Sequence, residues 1–305
     1  MKQYDVVTFG DTCVDLMVRG GDVVPHFGQV EQLVGDYTLE MGGSCCIFAC
    51  QAARLGLRVG ILGRVGDDGF GRLVLRRLEE CGVDTHPMIV DPTLKTGLGI
   101  ALCQGNDRAI LTYMGSLCAV GPEDVSDAFL SSARHLHHGS FFLHTRLRPH
   151  VPTILRRARA LGLTTSLDTN WDPDERWNST LREALSLVDL CMPNEQEALH
   201  ISGQPDLASA AAWFRARGVP ILTVKRGEQG AQAYAGEERY DCRVEPADEG
   251  GDSVGAGDSF DAGFLAGWLR GMPIARCLEI ACQCGRSVAS AIGGVQGQPG
   301  WEDLI

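Results

Sequence analysis

The chain has 305 residues, with 39 acidic and 27 basic side chains, so its formal net charge is −12. Hydrophobic residues make up 44% of it and charged residues 22%, which excludes a disordered or fibrous protein. The acidic balance argues against binding to nucleic acid, and no apolar run approaches the roughly 18 residues of a membrane helix. Residues 1–10 lack the pattern of a signal peptide. We therefore expect a cytoplasmic protein that binds neither nucleic acid nor a membrane.

Twelve cysteines are spread along the chain, and no two of them form a C-x-x-C pair. Zinc-ribbon and thioredoxin-like sites therefore have no support in the sequence. Most of the cysteines stand inside apolar stretches, as Cys103 does after residues 100–102. We predict that they are buried free thiols, which pack as small apolar side chains.

Short β-type runs alternate with helical segments along most of the chain. The predicted strands are residues 5–10, 58–62, 135–140, 164–168, 187–192 and 221–224. The predicted helices are residues 46–55, 71–81, 149–161, 256–270 and 274–291. This alternation predicts βαβ units and an α/β fold with a doubly wound, mostly parallel sheet.

One region departs from the alternation. Two β-type runs, residues 96–103 and 109–113, are joined by a turn at residues 104–108, which predicts a β-hairpin. A hairpin inserted into a parallel α/β chain is expected to form a separate small sheet, a lid over the sheet edge where ligands bind. A plain hairpin at the edge of the main sheet is the alternative.

The strongest local signal is the segment DSVGAGD at residues 252–258, which leads directly into a predicted helix. A Gly-x-Gly turn at a helix N-terminus directs unpaired backbone N–H groups at one point, which makes an anion site. Asp258 follows at once, where a carboxylate is well placed to accept the proton of a hydroxyl that attacks a phosphate. Asp261, one turn later, is a rival base that the helix carries away from the turn. The segment therefore indicates phosphoryl transfer to an alcohol, with ordinary helix capping as the alternative.

This segment resembles the second signature of the PfkB family, the ribokinase-like carbohydrate kinases. Other blocks that resemble the family pattern follow one another along essentially the whole chain: Gly42-Gly43 with AARLG at 52–56, GRVGDDGFG at 63–71, NEQE at 194–197 and VKRGEQGA at 224–231. The resemblance implies a ribokinase-like, mostly parallel sheet flanked by helices, with a small β-sheet lid. It implies one kinase domain over residues 1–305, with lid elements inserted at about 12–40 and 94–114.

The resemblance implies an ATP-dependent kinase that transfers the γ-phosphate to a hydroxyl of a small sugar or sugar acid. Asp258 is expected to be the catalytic base. The backbone of Gly255, Ala256 and Gly257 is expected to form the anion hole that stabilises the transferring phosphoryl group.

The implied cofactors are ATP and Mg²⁺. The resemblance assigns Asn194, Lys225, Gly227 and Gly257 to the nucleotide. Asn194 and Glu197 are expected to hold Mg²⁺ through water molecules, because magnesium keeps most of its waters.

Some members of the family also bind K⁺ beside the anion hole. In this chain the ligands would be backbone carbonyls at Asp252 and Val254, together with the loop 289–294. Carbonyls leave no trace in a sequence, so potassium stays an open alternative.

The resemblance also supplies substrate-binding residues, namely Asp15, Gly42, Gly43 and Asn170. Asn170 belongs to a D-x-N loop at residues 168–170 like that of fructokinase-like and 2-keto-3-deoxygluconate-kinase-like members.

Two positions depart from ribokinase, which carries a sugar-binding asparagine at each. This chain has Ile47 and Cys13 there, and a buried hydroxyl left without a partner costs about 1–3 kcal/mol. We therefore expect a fructokinase-like or 2-keto-3-deoxygluconate-kinase-like enzyme rather than a strict ribokinase. A nucleoside kinase of the same family and a catalytically silent sugar-binding regulator are the alternatives.

Four histidines cluster in the middle of the chain. On a strand, His135 and His137 share one face and His138 takes the other, so they do not converge on one metal. The following loop is expected to open at the active-site edge, where His144 or Arg146 would contact an acidic or phosphorylated sugar. Surface or interface histidines are the alternative.

The predicted hairpin is apolar enough to suggest a partner. Its hydrophobic side chains predict a homodimer formed through the lid: Leu98, Ile100, Leu102, Ile110 and Leu111.

Overall fold

The computed structural model describes residues 2–104, 107–177, 180–248 and 251–304. Its strands are β1 (Tyr4–Gly10), β2 (Cys13–Gly21), β3 (Val34–Gly42), β4 (Val59–Gly66), β5 (Ile89–Asp91), β6 (Gly97–Gln104), β7 (Asp107–Tyr113), β8 (Ala133–His138), β9 (Thr164–Leu167), β10 (Leu190–Cys191), β11 (Ile221–Lys225), β12 (Ala231–Ala235) and β13 (Glu238–Cys242). Its helices are α1 (Ser44–Arg54), α2 (Gly69–Glu80), α3 (Asp127–Ser131), α4 (Val151–Ala160), α5 (Leu181–Leu185), α6 (Glu195–Ser202), α7 (Leu207–Arg215), α8 (Ala256–Leu269) and α9 (Ile274–Ala289).

Within the described residues, the main sheet has nine strands in the order β13-β12-β11-β10-β9-β8-β1-β4-β5. The pairs from β11 through β10, β9, β8, β1 and β4 to β5 are parallel. This confirms the predicted α/β class and the mostly parallel sheet. The sequence analysis missed the antiparallel edge formed by β12 and β13, which pair with β11 and with each other.

The predicted hairpin, β6 and β7, belongs to a separate sheet of four strands in the order β3-β2-β6-β7. We call this sheet the lid. The expectation of a small second sheet is confirmed, and the alternative of a hairpin on the edge of the main sheet is wrong. Gly105 and Asn106, at the centre of the predicted turn, lie outside the described residues.

The main sheet buries side chains on both faces, because successive residues of each strand point to opposite sides. In β1, Val6 packs into the cluster formed with α1, α2, α8 and α9, whereas Val7 and Phe9 pack into the cluster on the other face. Gly263 and Gly267 let α9 approach α8 closely: a Cβ at Gly263 would lie 2.9 Å from Ala281 Cα. Both faces are thus closed, and the loops at the sheet edge remain for the site.

The histidines of β8 are buried, so the alternative that they lie at the surface or at an interface is wrong. His135 and His137 share one face, where the Ser166 hydroxyl lies 2.8 Å from His135 Nε2 and 2.8 Å from His137 Nδ1. His138 points to the other face, 4.9 Å from the Phe9 ring between centroids. The predicted division of these side chains between two faces is confirmed.

All twelve cysteines are free thiols in the structure, and eight of them are buried. This agrees with the expectation that most serve as small apolar side chains. In the part of the chain that the structure describes, no helix has the length and apolarity needed to cross a bilayer.

Candidate active site

A cavity of about 630 Å³ lies between the lid and the carboxyl edge of the parallel strands. Residues that follow β9, β10 and β11 contribute its floor: Asp168, Asn170, Asn194, Glu197 and Lys225, together with residues 253–258 at the start of α8. The inner face of the lid contributes Cys13, Asp15, Met17, Ala101, Arg108 and Ile110. This is the edge at which open α/β sheets bind their ligands.

Gly255 makes the turn that begins α8. Its φ of 74° lies in the left-handed region, and a Cβ there would come within 2.7 Å of Gly294 O and 2.8 Å of Ile47 Cγ2. Glycine is therefore required at this position for both conformation and space. The first turn of α8, with Ala256 and Gly257, faces the cavity, so its N–H groups and the helix dipole favour an anion there.

Asp258 lies in this first turn and lines the cavity. Burial, together with the nearby charge of Asp168, raises the pKa of its carboxyl to about 8. The ammonium of Lys225 and a hydrogen bond from the Ser44 side chain act in the opposite direction. A carboxylate with a raised pKa is a stronger base, which suits removal of a proton from an alcohol.

Lys225 sits among several carboxylates beneath the cavity. Its Nζ lies 3.1 Å from Asp168 Oδ2 and 3.2 Å from both carboxylate oxygens of Asp261. Burial opposes the charge of Lys225, but these neighbours more than compensate and raise its pKa. Asp261 is fully buried and does not line the cavity. The expectation that the helix carries Asp261 away from the turn is therefore confirmed.

Asn194 and Glu197 form a capping box at the start of α6. Asn194 Oδ1 accepts from the Glu197 amide at 2.9 Å, and Glu197 Oε2 accepts from the Asn194 amide at 2.9 Å. Both side chains also line the cavity. Burial raises the pKa of Glu197 to about 7, with a further contribution from Asp168.

The carboxylates of Asp168, Glu197 and Asp258 outnumber the single ammonium of Lys225 on this floor. Such a set of buried oxygen donors fits a hard divalent cation, because a bound cation relieves their mutual repulsion.

Three of the four substrate-binding residues expected from the sequence lie on the lid side: Asp15 and Gly43 line the cavity, and Gly42 packs against Asp15. The carboxylate of Asp15 lies against the backbone of Gly42 and Gly99, and a Cβ at either glycine would collide with it. Burial raises the pKa of Asp15 to about 6. Gly43 has a φ of 96°, and a Cβ there would lie 2.5 Å from the carbonyl oxygen of Asp11. The fold thus needs glycine at Gly43 whether or not a sugar is bound, whereas a side chain at Gly42 or Gly99 would displace the Asp15 carboxylate.

Asn170 also lines the cavity, next to the edge of the floor. Its φ of 53° is left-handed, and its Nδ2 donates to Ser140 Oγ at 2.9 Å. Its neighbour Trp171 points away and packs edge-on against Trp177 and His200.

A groove of about 1450 Å³ continues from this cavity along the start of α8 and the C-terminal half of α9. Three of the four residues that the sequence analysis assigned to a nucleotide line it, Lys225, Gly227 and Gly257, whereas the fourth, Asn194, lines only the cavity. Lys225, Gly257 and Arg108 line both spaces and so mark where the cavity and the groove meet.

The loop expected beside a potassium site does lie against the DSVGAGD segment. Asp252 Oδ1 accepts from the Val254 amide at 2.9 Å, and Asp252 Oδ2 accepts from the Gly293 amide at 3.0 Å. The Asp252 amide donates to Ala291 O at 2.9 Å. Residues 252–255 and 289–294 therefore form one packed unit.

Two residues expected to contact an acidic sugar are placed elsewhere. His144 is buried behind the cavity with its Nε2 3.2 Å from Asp11 Oδ1. Arg146 is half exposed and pairs with Glu123. Neither lines the cavity: the loop after β8 makes a left-handed turn at Ser140, whose φ is 54°, and then buries His144 while leaving Arg146 exposed.

Sequence reasoning missed three residues of the site. Arg108 faces the cavity from β7, Ser44 bonds to Asp258, and Asp11 lies at the end of β1. Ser44 and Asp11 stand beside recognised motifs, so their position was a usable signal. No sequence signal marked Arg108, because only the pairing of β7 with β6 decides which face of the lid its side chain takes.

Comparison with known proteins agrees with this geometry. Residues 3–300 match the pfkB family carbohydrate kinases. An ATP-dependent ribose-1-phosphate kinase of Halopiger xanaduensis is 32% identical over 257 residues, which cover 83% of this chain and 81% of that protein. A fructokinase of Klebsiella pneumoniae is 31% identical over 311 residues, covering 97% and 96%.

Among solved structures, a protein from Escherichia coli described as a ribokinase II, in complex with ATP and Mg²⁺, superposes with a TM-score of 0.87. It is 28% identical, and the match covers 98% of this chain and 97% of that one. The chain therefore belongs to the pfkB family of carbohydrate kinases, which transfer a phosphoryl group to an alcohol group.

Proposed function

We propose that this enzyme uses ATP to phosphorylate a hydroxyl of a small sugar or sugar acid, with Asp258 as its catalytic base. The observation that carries the proposal is the position of Asp258 in the first turn of α8. There it lines a sugar-sized cavity beside the Gly255 turn, next to Gly257, where that cavity meets a longer groove. The cavity accepts the sugar and the groove accepts the nucleotide.

The residues divide the chemistry between them. Asp258 accepts the proton of the attacking hydroxyl, and Ser44 holds its carboxylate in place. The backbone N–H groups of Gly255, Ala256 and Gly257 stabilise the negative charge that develops on the transferring phosphoryl group. Bound Mg²⁺, held near Asn194 and Glu197 through water, would supply further charge neutralisation.

The cavity favours a fructokinase-like or 2-keto-3-deoxygluconate-kinase-like substrate over ribose. Ile47 and Cys13, which replace two sugar-binding asparagines of ribokinase, both line it. Arg108 adds a cation on the lid side, close enough to Asp15 that its charge opposes the burial that raises the pKa of that carboxyl. A guanidinium at this place supports a substrate that carries a carboxylate or a phosphate.

A nucleoside is a poorer fit. Among the described residues, those that line the cavity include no aromatic side chain on which a base would stack. The intact Asp258 and N-x-x-E positions count against a silent regulator.

Two further proposals rest on the same family membership. K⁺ is proposed to bind between residues 252–254 and the loop 289–294, which the hydrogen bonds of Asp252 hold together.

The enzyme is proposed to work in the cytoplasm, where reducing conditions keep its twelve thiols free.

We also propose a homodimer formed through the outer face of the lid. The strand register places Leu98, Ile100, Leu102 and Leu111 on that face, whereas Ile110 takes the opposite face and lines the cavity. Leu111 is 59% exposed. Static light scattering at micromolar concentration tests this: the wild type should have twice the mass of one chain. A Leu111→Lys variant should have the mass of one chain, and a monomeric wild type would contradict the proposal.

The function is tested by ADP release with Mg²⁺ATP, with and without K⁺, over hexoses, pentoses, sugar acids, sugar phosphates and nucleosides. We expect turnover with D-fructose, 2-keto-3-deoxygluconate or a sugar phosphate, and little with ribose. Turnover of nucleosides alone would identify the alternative kinase. Tight binding of a sugar without any ADP release would support a regulator instead.

A further inference from the structure

Asp11 helps to line the cavity, and its carboxylate connects two segments of the substrate side. It accepts from the backbone amide of Ser44 at 2.8 Å and from that of Cys45 at 3.3 Å. These amides begin α1 and have no partner inside the helix. Asp11 therefore caps the helix whose first turn follows Gly43 and carries the Ser44 hydroxyl to Asp258.

The same carboxylate also holds the loop that follows β8. His144 Nε2 lies 3.2 Å from Asp11 Oδ1, and the Ser140 hydroxyl donates to Asp11 Oδ2 at 3.4 Å. Ser140 Oγ in turn accepts from Asn170 Nδ2 at 2.9 Å. Ser140 and Asn170 both have left-handed φ angles, which non-glycine residues keep only where surrounding contacts impose them. One buried network thus runs from Asn170 to the start of α1.

His144 supports this network from outside the cavity. It is 1% exposed and does not line the cavity, and its Nδ1 has no hydrogen-bond partner among the described residues. Its ring and Cys45 Sγ close over Gly10, where a Cβ would lie 2.6 Å from His144 Nε2 and 2.9 Å from Cys45 Sγ. The ring is therefore packed in place, and Asp11 is the group to which it is bonded.

We propose that His144 is a positioning residue for sugar binding: it orients Asp11, and Asp11 fixes both the first turn of α1 and the loop that leads to Asn170. This inference rests on the proposed function and adds a residue that contacts neither the sugar nor the nucleotide. Because Asp11, His144 and Asn170 do not line the nucleotide groove, the effect should fall on the sugar and spare ATP.

The test compares His144→Leu, which removes the hydrogen bond, with His144→Gln, whose amide nitrogen is able to restore it. His135→Leu is the matched control, since His135 is equally buried but bonds to Thr164 and Ser166, away from Asp11. With D-fructose or ribose 1-phosphate as acceptor, His144→Leu should raise the sugar KM about tenfold, the loss expected for one hydrogen bond to a charged group. The KM for ATP should change less than about twofold, and His144→Gln should recover most of the sugar KM.

Combining the substitutions separates positioning from direct contact. If His144 acts through Asp11, then Asp11→Asn with His144→Leu should be no worse than Asp11→Asn alone. Additive losses would overturn the proposal. An unchanged sugar KM in His144→Leu, or an equal rise in His135→Leu, would overturn it as well.

A second measurement does not depend on turnover, so it stays informative if no sugar is phosphorylated. Hydrogen–deuterium exchange of a peptide covering residues 40–48 should speed up about tenfold in His144→Leu and stay unchanged in His135→Leu, because Asp11 protects the Ser44 and Cys45 amides. Unchanged exchange in both would contradict the proposal.

Asp11, Cys45 and His144 also place ligand atoms within 4.8 Å of one another. Stoichiometric zinc in the purified enzyme, lost in Asp11→Asn, would replace the positioning role with a metal site.

Discussion

The two sides of the cavity are built in different ways. The floor consists of loops at the ends of parallel strands and the N-terminus of α8. Its polar side chains are bonded to one another and to those behind them: Lys225 to Asp168 and Asp261, and Asn194 to Glu197. The lid is a separate sheet whose inner face presents Asp15 and Arg108. The difference suggests that the floor carries phosphoryl transfer and the lid carries the choice of sugar.

The largest expected effect is the loss of kcat when the carboxylate of Asp258, on the floor of the cavity, is replaced. Asp258→Asn should lower kcat by about 10²–10⁴-fold, because the amide is unable to take the hydroxyl proton. Binding of ATP, followed by calorimetry, should be largely kept. The matched variant is Asp261→Asn, three residues along the same helix and outside the cavity lining.

Asp261→Asn removes a partner of Lys225 but leaves Asp258, the proposed base, in place. Asp261→Asn should therefore mainly raise the KM for ATP and should lower kcat less than Asp258→Asn does. If the two variants lost kcat equally, Asp258 would not be distinguished as the base. An unchanged kcat in Asp258→Asn would refute the assignment.

A substitution in the lid, Arg108→Gln, tests whether that side of the cavity selects the sugar. Arg108→Gln should lower kcat/KM for a sugar acid or sugar phosphate by about 10–100-fold, the value of one charge-assisted contact. D-Fructose should be affected much less, because it carries no charge for Arg108 to bind. The comparison is made between two acceptors on one variant, so a general loss of folding does not mimic it.

Arg19→Gln is the control for removing an arginine from the same sheet. Arg19 lines the groove rather than the cavity, and its Nη2 donates to Thr38 Oγ1 at 2.9 Å. It should not change the preference between charged and neutral acceptors. Equal losses for both acceptors in Arg108→Gln would mean that Arg108 serves the phosphoryl group rather than the sugar.

The same contrast separates what the sequence predicts from what it does not. The start of α8, the capping residues of α6 and the end of β11 are local features, so short motifs located Asp258, Asn194, Glu197 and Lys225 correctly at one edge. The parallel core also followed from alternating patterns, since each βαβ unit is specified by adjacent residues.

The lid and the buried polar groups were less predictable. Whether Ile110 or Leu111 faces the cavity depends on how β7 pairs with β6, and hydrophobicity is similar at both positions. His144 looked like a substrate contact because it follows a strand at the active edge, but the left-handed turn at Ser140 directs it inward. Backbone turns formed by non-glycine residues leave no clear sequence signal.

The next prediction uses pH to separate the two sides. Asp258 has to be deprotonated to act as base, so kcat/KM should rise with pH through about 8 and fall about tenfold per unit below that value. Asp15, with a pKa raised to about 6, is protonated only at lower pH, where binding of the sugar should weaken in turn. An activity profile that stays flat between pH 6 and pH 9 would contradict the placement of the base.

The smallest expected effect concerns the stability of the floor. The folded-state pKa of Asp258 lies above its unfolded value, so the folded protein binds more protons, and the free energy of unfolding falls as pH rises between about 4 and 8. Asp258→Asn removes this cost and should raise the Tm by about 2 °C or more at pH 8. The gain should shrink toward pH 4, where the wild-type carboxyl is itself protonated. Calorimetry at both pH values tests the sign, and a lower Tm for Asp258→Asn at pH 8 would show that its charge stabilises the fold. A more stable but inactive variant would show that the floor loses folding stability in order to keep a strong base at the start of α8. In the lid, the pKa of Asp15 is raised less, so its burial should lower the stability by a smaller amount.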